Sequence, residues 1–256
     1  PKTVREAAVA GLFYPAEPRS LRTMIDGFLK SASAPDLGGV PRAVIVPHAG
    51  YRYSGPTAAC AYKALEGRLF RTVIILAPSH YALFDGASIP DVEAYRTPLG
   101  LIPVSPLARR LAAAKPFALQ PPARVHRPPW AADSPKPIPA YGEENAHTWE
   151  HSLEVQLPFL QEVLKDFAIV PIVYGQVDER AMADALLPVI DDHTLLVASS
   201  DLSHYHPYEE ARVKDSACVQ AVTSMNFAAM KEQEACGLGP ILTVMYLAKA
   251  KGWTPR

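Results

Sequence analysis

The amino-acid sequence predicts an α/β protein that has a mostly parallel central sheet with helices on both of its faces. Four short apolar runs are rich in β-branched residues and do not alternate with polar residues. Such runs are typical of strands that are buried on both faces of a parallel sheet. Helical hydrophobic patterns lie between the runs, and this alternation indicates an α/β architecture with right-handed crossovers.

The predicted elements follow one another along the chain. In order, they cover 43–46 (AVIV, strand), 55–65 (helix), 72–76 (TVIIL, strand), 104–114 (helix), 152–165 (helix), 169–173 (IVPIV, strand), 178–190 (helix), 194–198 (TLLVA, strand), 208–224 (helix) and about 238–251 (helix). The helix over 152–165 carries leucines at helical spacing, and Pro158 within it is expected to kink or restart it.

One segment is unusually rich in proline. Eight of the 26 prolines lie between Pro116 and Pro139. Such a segment cannot form a helix interior or a central strand. We therefore expect a single α/β domain over 1–256 that carries a Pro-rich surface loop or insertion at about 116–142.

The charge and cysteine content exclude several classes of protein. The net charge is -1, from 25 basic and 26 acidic residues, which argues against nucleic acid and anionic membranes as partners. No apolar run approaches the roughly 20 residues of a membrane span. The three cysteines form no CxxC pair and are too scattered for a disulfide framework, which favours a cytoplasmic protein.

Histidines and an aspartate follow three of the predicted strands. His48 comes shortly after the first strand, His80 after the second, and Asp201 and His204 after the fourth. In open α/β sheets the ligand crevice lies outside the carboxyl ends of the strands. One histidine at such a place is usually structural, but three strand ends with histidines predict a shared site.

Two further positions are candidates for the same cleft. Glu150 and His151 begin a helix, where they are either ordinary helix-start residues or groups that cap the cleft. Cys236 stands before the last helix, where a thiolate is favoured as a nucleophile or a metal ligand; the alternative is a small buried apolar residue. Cys60 and Cys218 lie within amphipathic helices and are expected to be buried.

The chemistry of these residue types suggests a metal site. Two neutral imidazoles and one anionic ligand leave open positions on a transition metal, and the version with a carboxylate is typical of non-haem Fe(II) oxygenases. A thiolate in that position is softer and also accepts Cu(I) or zinc. Another histidine near the open position would act as a general acid or base. Asp201 could orient a histidine ring or join the metal ligands.

Five motifs carry a family resemblance. In chain order they are VPHAGYRYSGPTAACAY, LAPSHY, EHSLEVQLPFL, SSDLSHY and EACGLGPI, and the opening REAAVAGLFYPAEPRSL fits the same pattern. Together they resemble the Memo family, which includes the proteins called AmmeMemoRadiSam system protein B. The resemblance covers nearly the whole chain. It implies the fold of the LigB-type class III extradiol dioxygenases.

The resemblance also implies roles for individual residues. His48, His80 and Cys236 match the metal-ligand positions, so that a cysteine stands where the dioxygenases have an acid. His204 matches the catalytic histidine, and Asp201 belongs to the same motif. The implied cofactor is Fe(II) or copper, with zinc as a further possibility, and the family name suggests a functional link to a radical-SAM protein.

Three functions remain open at this point. The first is a metal-dependent, oxygenase-like oxidoreductase in which Glu150 and His151 join His204 and Asp201 as catalytic candidates. The second is a thiol-dependent hydrolase or transferase with Cys236 as nucleophile and His204 as base. The third is a non-catalytic module that binds a peptide or small molecule in the cleft.

Overall fold

The computed structural model describes residues 3–256, so the first two residues of the predicted domain lie outside it. The strands are β1 (Val4–Arg5), β2 (Ala43–Val46), β3 (Thr72–Pro78), β4 (Ala82–Leu83), β5 (Ala87–Ile89), β6 (Ala94–Thr97), β7 (Gly100–Pro103), β8 (Phe117–Leu119), β9 (Arg124–Val125), β10 (Ala168–Tyr174) and β11 (Thr194–Ser199).

The helices are α1 (Pro18–Ser31), α2 (Tyr51–Lys63), α3 (Pro106–Ala112), α4 (His151–Glu154), α5 (Leu157–Val163), α6 (Glu179–Leu186), α7 (Tyr208–Thr223), α8 (Phe227–Lys231) and α9 (Leu238–Lys251). Short 3₁₀ helices cover Pro129–Asp133 and Leu187–Val189. Among the helices of residues 3–256, none is long and apolar enough to cross a membrane.

The main sheet has six strands in the order β2-β11-β3-β10-β5-β8. The four strands predicted from the apolar runs, β2, β11, β3 and β10, are parallel neighbours. Strand β5, however, pairs antiparallel with β10, and β8 follows the direction of β5. The α/β class is confirmed, but the prediction of a mostly parallel sheet is wrong because the sheet is mixed. The link 79–86 is too short for the helical crossover that a further parallel strand requires, so the chain reverses direction.

The sheet separates two apolar layers. Alternate residues of β3 point to opposite faces, so Val73 and Ile75 pack in one layer while Ile74 and Leu76 pack in the other. The first layer includes apolar residues of α1, α2 and α5, and the second includes those of α3, α6 and α9. Helices thus cover both faces, which is why the strand sequences are continuously apolar.

Some helices differ from the prediction. The helix over 152–165 is divided into α4 and α5 next to Pro158, as expected of a proline at that position. Helix α1 was not predicted, although Leu21, Ile25 and Leu29 form a buried stripe at helical spacing and Glu17 caps its first turn. Cys218 is buried as expected, whereas the prediction for Cys60 is wrong.

Cys60 is exposed because it lies on the outer face of α2, while Ala59 and Tyr62 occupy the buried face.

The Pro-rich stretch contributes three small elements. Strand β8 lies at the edge of the main sheet, β9 pairs with β4, and a 3₁₀ helix covers Pro129–Asp133. Trp130 of this 3₁₀ helix packs against Phe13 and Tyr81. The segment therefore lies against the loop that follows β3.

Candidate metal centre

The carboxyl ends of β2, β11 and β3 lie side by side because these strands are parallel neighbours. The loops that follow them bring together His48, His80 and Asp201. The rings of His48 and His80 are 5.1 Å apart and nearly perpendicular. The side chain of His48 is 2% exposed and that of His80 is 27% exposed, so the cleft opens on the side of His80.

Cys236 enters the cleft from the turn before α9. Its Sγ lies 3.2 Å from His48 Nε2 and accepts a hydrogen bond from the backbone N–H of Asp201 at 3.3 Å. The close approach depends on the next residue, since a Cβ on Gly237 would lie 2.4 Å from the backbone oxygen of Ser199. Donor atoms of His48, His80 and Cys236 all lie within 4.8 Å of one another.

Ser199 determines the tautomer of His48. The Ser199 hydroxyl donates to the backbone oxygen of Ser152 at 2.6 Å, so its only proton is used there. It must therefore accept the 2.8 Å hydrogen bond from His48 Nδ1–H, which leaves a lone pair on Nε2. Burial, together with the nearby His80, lowers the pKa of His48 to about 3, so this imidazole is neutral.

Glu150 orients His80 in a corresponding way. One carboxylate oxygen accepts the backbone N–H of His80 at 2.7 Å, and the other lies 2.8 Å from His80 Nδ1. Burial alone would raise the pKa of Glu150, but the hydrogen bond and charge of His80 outweigh it and lower the pKa to about 2. The ionised carboxylate therefore accepts a hydrogen bond from Nδ1–H, and Nε2 of His80 points away from Glu150.

His80 has an unusually strong preference for the cationic form. Burial would lower its pKa, but hydrogen bonds with Cys236 and Glu150 outweigh burial and raise the pKa to about 10. A positive charge between the thiol and the carboxylate is thus favoured by the surroundings. In the protein without metal, that charge is a proton on the imidazole.

His151 is the first residue of α4, and its ring lies in the cleft. Its ring packs 4.6 Å from Phe13 and 4.7 Å from His80, and its Nδ1 is 3.1 Å from the hydroxyl of Tyr81. Burial lowers the pKa of His151 to about 4, so the ring is neutral. His151 therefore forms a wall of the cleft beside His80.

Asp201 and His204 occupy the more exposed edge. Oδ1 of Asp201 accepts the backbone N–H of His48 at 2.8 Å. Its Oδ2 lies 3.7 Å from His48 Nε2 and 3.9 Å from His204 Nε2.

The structure thus brings together all seven residues that the sequence suggested for the site: His48, His80, Glu150, His151, Asp201, His204 and Cys236.

A buried ion pair supports the segment that carries Glu150 and His151, and sequence reasoning missed it. The guanidinium of Arg5 pairs with Glu154 and also donates to the backbone oxygens of His147 and Glu150, at 3.0 Å in each case. Glu154 also accepts from Tyr14 and from the backbone of residues 8–9. The available signal was an acidic residue within the otherwise buried sequence of α4.

Comparison with known proteins gives a consistent result. A family described as "Memo-like protein" matches residues 5–255. A MEMO1 family protein of Methanopyrus kandleri is 34% identical over 97% of this chain and 88% of its own length. Similar proteins from Aquifex aeolicus and Sulfolobus acidocaldarius are 36% and 35% identical, each over 98% of this chain and over 88% and 90% of their own lengths.

Proposed function

The chain belongs to the Memo family, and we propose that it is a non-haem metal-binding protein with an oxygenase-like redox site at the carboxyl ends of β2, β3 and β11. The observation that supports this most is the arrangement of His48, His80 and Cys236. Two imidazole nitrogens and a sulfur lie within 4.8 Å of one another, while the Nδ1 atom of each ring is held by a hydrogen bond to the protein. Anchoring of this kind is typical of histidines that bind metal.

The donor set favours Fe(II) or copper, with zinc as a redox-inactive substitute. A thiolate is softer than the carboxylate of the 2-His-1-carboxylate sites and suits Cu(I) in particular. A bound iron or copper ion would supply electron transfer and open positions for a ligand. The proposed ligand is a small molecule or peptide that enters beside His80 and His204, since these two are more exposed than the other cleft histidines, His48 and His151.

The surrounding residues have distinct proposed roles. His204, at the open edge, is placed to accept or donate a proton through Nε2, and Asp201 Oδ2 faces that atom. Glu150 and His151 form the opposite wall, where Glu150 anchors His80. The fold likeness to LigB-type class III extradiol dioxygenases, the link to a radical-SAM protein and a cytoplasmic location, in keeping with three free cysteines, are parts of the same proposal.

Anaerobic titration with Fe(II) and with Cu(I) tests the proposal. We expect one or more equivalents of either metal to remain bound after desalting, with a reversible redox wave that is absent from the zinc-loaded protein. The Cys60→Ser variant should bind the same amount of metal as the unchanged protein, because Cys60 is an exposed thiol outside the cleft. No retained metal, or metal retained without any redox wave for iron and copper, would contradict the proposal.

Glu150 gives a second test through its effect on His80. The Glu150→Gln variant keeps the volume but removes the charge that orients Nδ1 of His80. We expect metal affinity to fall about 10- to 100-fold, as for other residues that orient a ligand. Chelator competition measures the affinity, and Glu162→Gln, which alters a surface pair with Arg22, should bind metal as the unchanged protein does. Equal affinities for both variants would refute the anchoring role.

A thiol-dependent enzyme is the second candidate, because donor atoms of His80 and of His204 each lie within 4.8 Å of the sulfur of Cys236, where an imidazole can accept the proton of a thiol nucleophile. The two functions differ in their response to metal. If Cys236 is a metal ligand, iodoacetamide should alkylate it in the metal-free protein and not in the metal-loaded protein. If Cys236 is a nucleophile that binds no metal, it should be alkylated at the same rate in both.

A further inference from the structure

A second pocket, of about 240 Å³, lies beside strand β1 and is separate from the cleft. Pockets for drug-sized ligands usually measure roughly 300–1,000 Å³, so this pocket suits a smaller molecule. The apolar part of its wall consists of Val4, Pro90, Val92 and Pro137. The polar part includes Lys136, Asn145 and Gln120, which take no part in the site described above.

Lys136 is a partly buried basic residue in the wall of this pocket. Its Nζ donates a 2.6 Å hydrogen bond to the backbone oxygen of Thr148 and lies 4.7 Å from the centre of the Trp149 ring. An ammonium group has three N–H donors, and within residues 3–256 Lys136 uses one of them. Burial, together with the positive charge of Arg5, lowers the pKa of Lys136 to about 7. The protein therefore compensates the charge of this side chain only in part.

The acidic residues around Lys136 do not neutralise it, because each of them has a basic partner of its own. The pairs are Glu6 with Arg96, Glu144 with Arg127 and Glu154 with Arg5. In the part of the chain that the structure describes, no carboxylate forms an ion pair with Lys136. Each pair is neutral overall, so Lys136 contributes one unmatched positive charge. A singly charged anion in the pocket would neutralise it.

Two amide side chains add hydrogen-bond donors to the same pocket. Oδ1 of Asn145 accepts the backbone N–H of His147 at 2.8 Å, and Oε1 of Gln120 accepts the backbone N–H of Asp91 at 3.3 Å. These bonds identify the oxygen of each amide, so its other end is the NH₂ group. Neither NH₂ group donates to an acceptor among residues 3–256. The pocket thus offers N–H donors from three side chains to a ligand that carries acceptors.

We propose that this pocket binds a small aliphatic carboxylate, whose oxygens accept hydrogen bonds from Lys136, Asn145 and Gln120. The apolar part of the wall contacts the alkyl group of the ligand. A carboxylate matches the single unmatched charge, whereas a phosphate group, with a charge of about -1.5 to -2 at pH 7, exceeds it. Binding requires no metal, so the inference is independent of the proposed function.

Titration of the metal-free, full-length protein with isovalerate, followed by NMR, tests the inference. We expect isovalerate to bind about 10-fold or more tightly than isovaleramide, its uncharged counterpart, because hydrogen bonds to charged groups are the stronger ones. Inorganic phosphate should bind more weakly than isovalerate. Lys136→Met should lose affinity for isovalerate by a similar factor, and Gln120→Met, which removes one amide donor, should lose less. Lys30→Met removes an exposed lysine of α1 and should bind as the unchanged protein does.

The Cε resonance of Lys136 in protein labelled with [¹³C]lysine shows whether the ligand lies in this pocket. Its signal is identified by its loss in Lys136→Arg, which keeps the positive charge. An anion beside the ammonium group favours the charged form, so saturating isovalerate should raise the pKa of Lys136 above about 7, whereas isovaleramide should not.

Three results would overturn the inference. The first is a failure of isovalerate to bind, or binding no tighter than that of isovaleramide or phosphate. The second is equal affinity of Lys136→Met and Lys30→Met for isovalerate. The third is binding of isovalerate that leaves the pKa of Lys136 unchanged. If Lys136→Met does not fold, the pKa measurement and the loss of affinity in Gln120→Met decide the question.

Discussion

The Cys236→Ser variant is expected to bind Fe(II) and Cu(I) far more weakly than the unchanged protein, and to lose more affinity for Cu(I). Removal of a ligand should exceed the roughly 10- to 100-fold loss that follows the removal of a residue orienting a ligand. Serine has nearly the same shape, but its hydroxyl is hard and neutral, whereas Cu(I) prefers soft thiolates. A larger loss of affinity for Cu(I) than for Fe(II) is therefore the result expected if the sulfur binds the metal as a thiolate.

Competition with chromophoric chelators under anaerobic conditions measures both affinities. The Cys60→Ser variant controls for the loss of a thiol, since Cys60 lies on the exposed face of α2. The metal-free forms of Cys236→Ser and of the unchanged protein should have the same thermal unfolding midpoint, because Cys236 is only partly buried. If Cys236→Ser bound both metals as tightly as Cys60→Ser, the sulfur would not be a ligand.

The Arg5→Met variant is expected to lower the free energy of unfolding by about 3–5 kcal/mol, as is typical when one partner of a buried ion pair is removed. Arg5 is 7% exposed and Glu154 is fully buried, so the remaining carboxylate would have no neutralising partner. The backbone oxygens of His147 and Glu150 would also lose their donors. The loss therefore includes both an unpaired charge and unsatisfied carbonyl groups.

Urea unfolding of the metal-free protein measures this loss. The Arg22→Met variant is the matched control, because Arg22 pairs with Glu162 at the surface and that pair is accessible to solvent. Its unfolding midpoint should stay close to that of the unchanged protein. If the two variants lost similar stability, the Arg5 pair would not stabilise the segment that carries Glu150.

The sequence predicted correctly the features that depend on a local apolar pattern and on the position of a residue at the end of a strand. The four apolar runs are the four parallel strands, and the polar residues that follow three of them meet at one edge, since the carboxyl ends of neighbouring parallel strands coincide. Its position before the last helix made Cys236 a candidate for the cleft, and the family motifs indicated that it is a metal ligand. It lies after α8 and reaches the site because Gly237 permits close contact with Ser199.

Other features depend on tertiary contacts that no local pattern reveals. Strands β5 and β8 are only three residues long, so their reversed direction could not be read from periodicity. Ser199 looks like the end of an apolar strand, and its role in fixing the tautomer of His48 follows only from its hydrogen bond to Ser152. Arg5 and Glu154 are separated by most of the chain, and their pairing depends on how the chain folds.

Anomalous diffraction from crystals of the iron- or copper-loaded protein tests the central claim most directly. Data collected at the absorption edge of the metal locate the ion relative to individual side chains. The account predicts a peak bounded by Nε2 of His48, Nε2 of His80 and Sγ of Cys236. A peak outside this cleft, or an ion bound by histidines while Cys236 stands apart from it, would contradict the account.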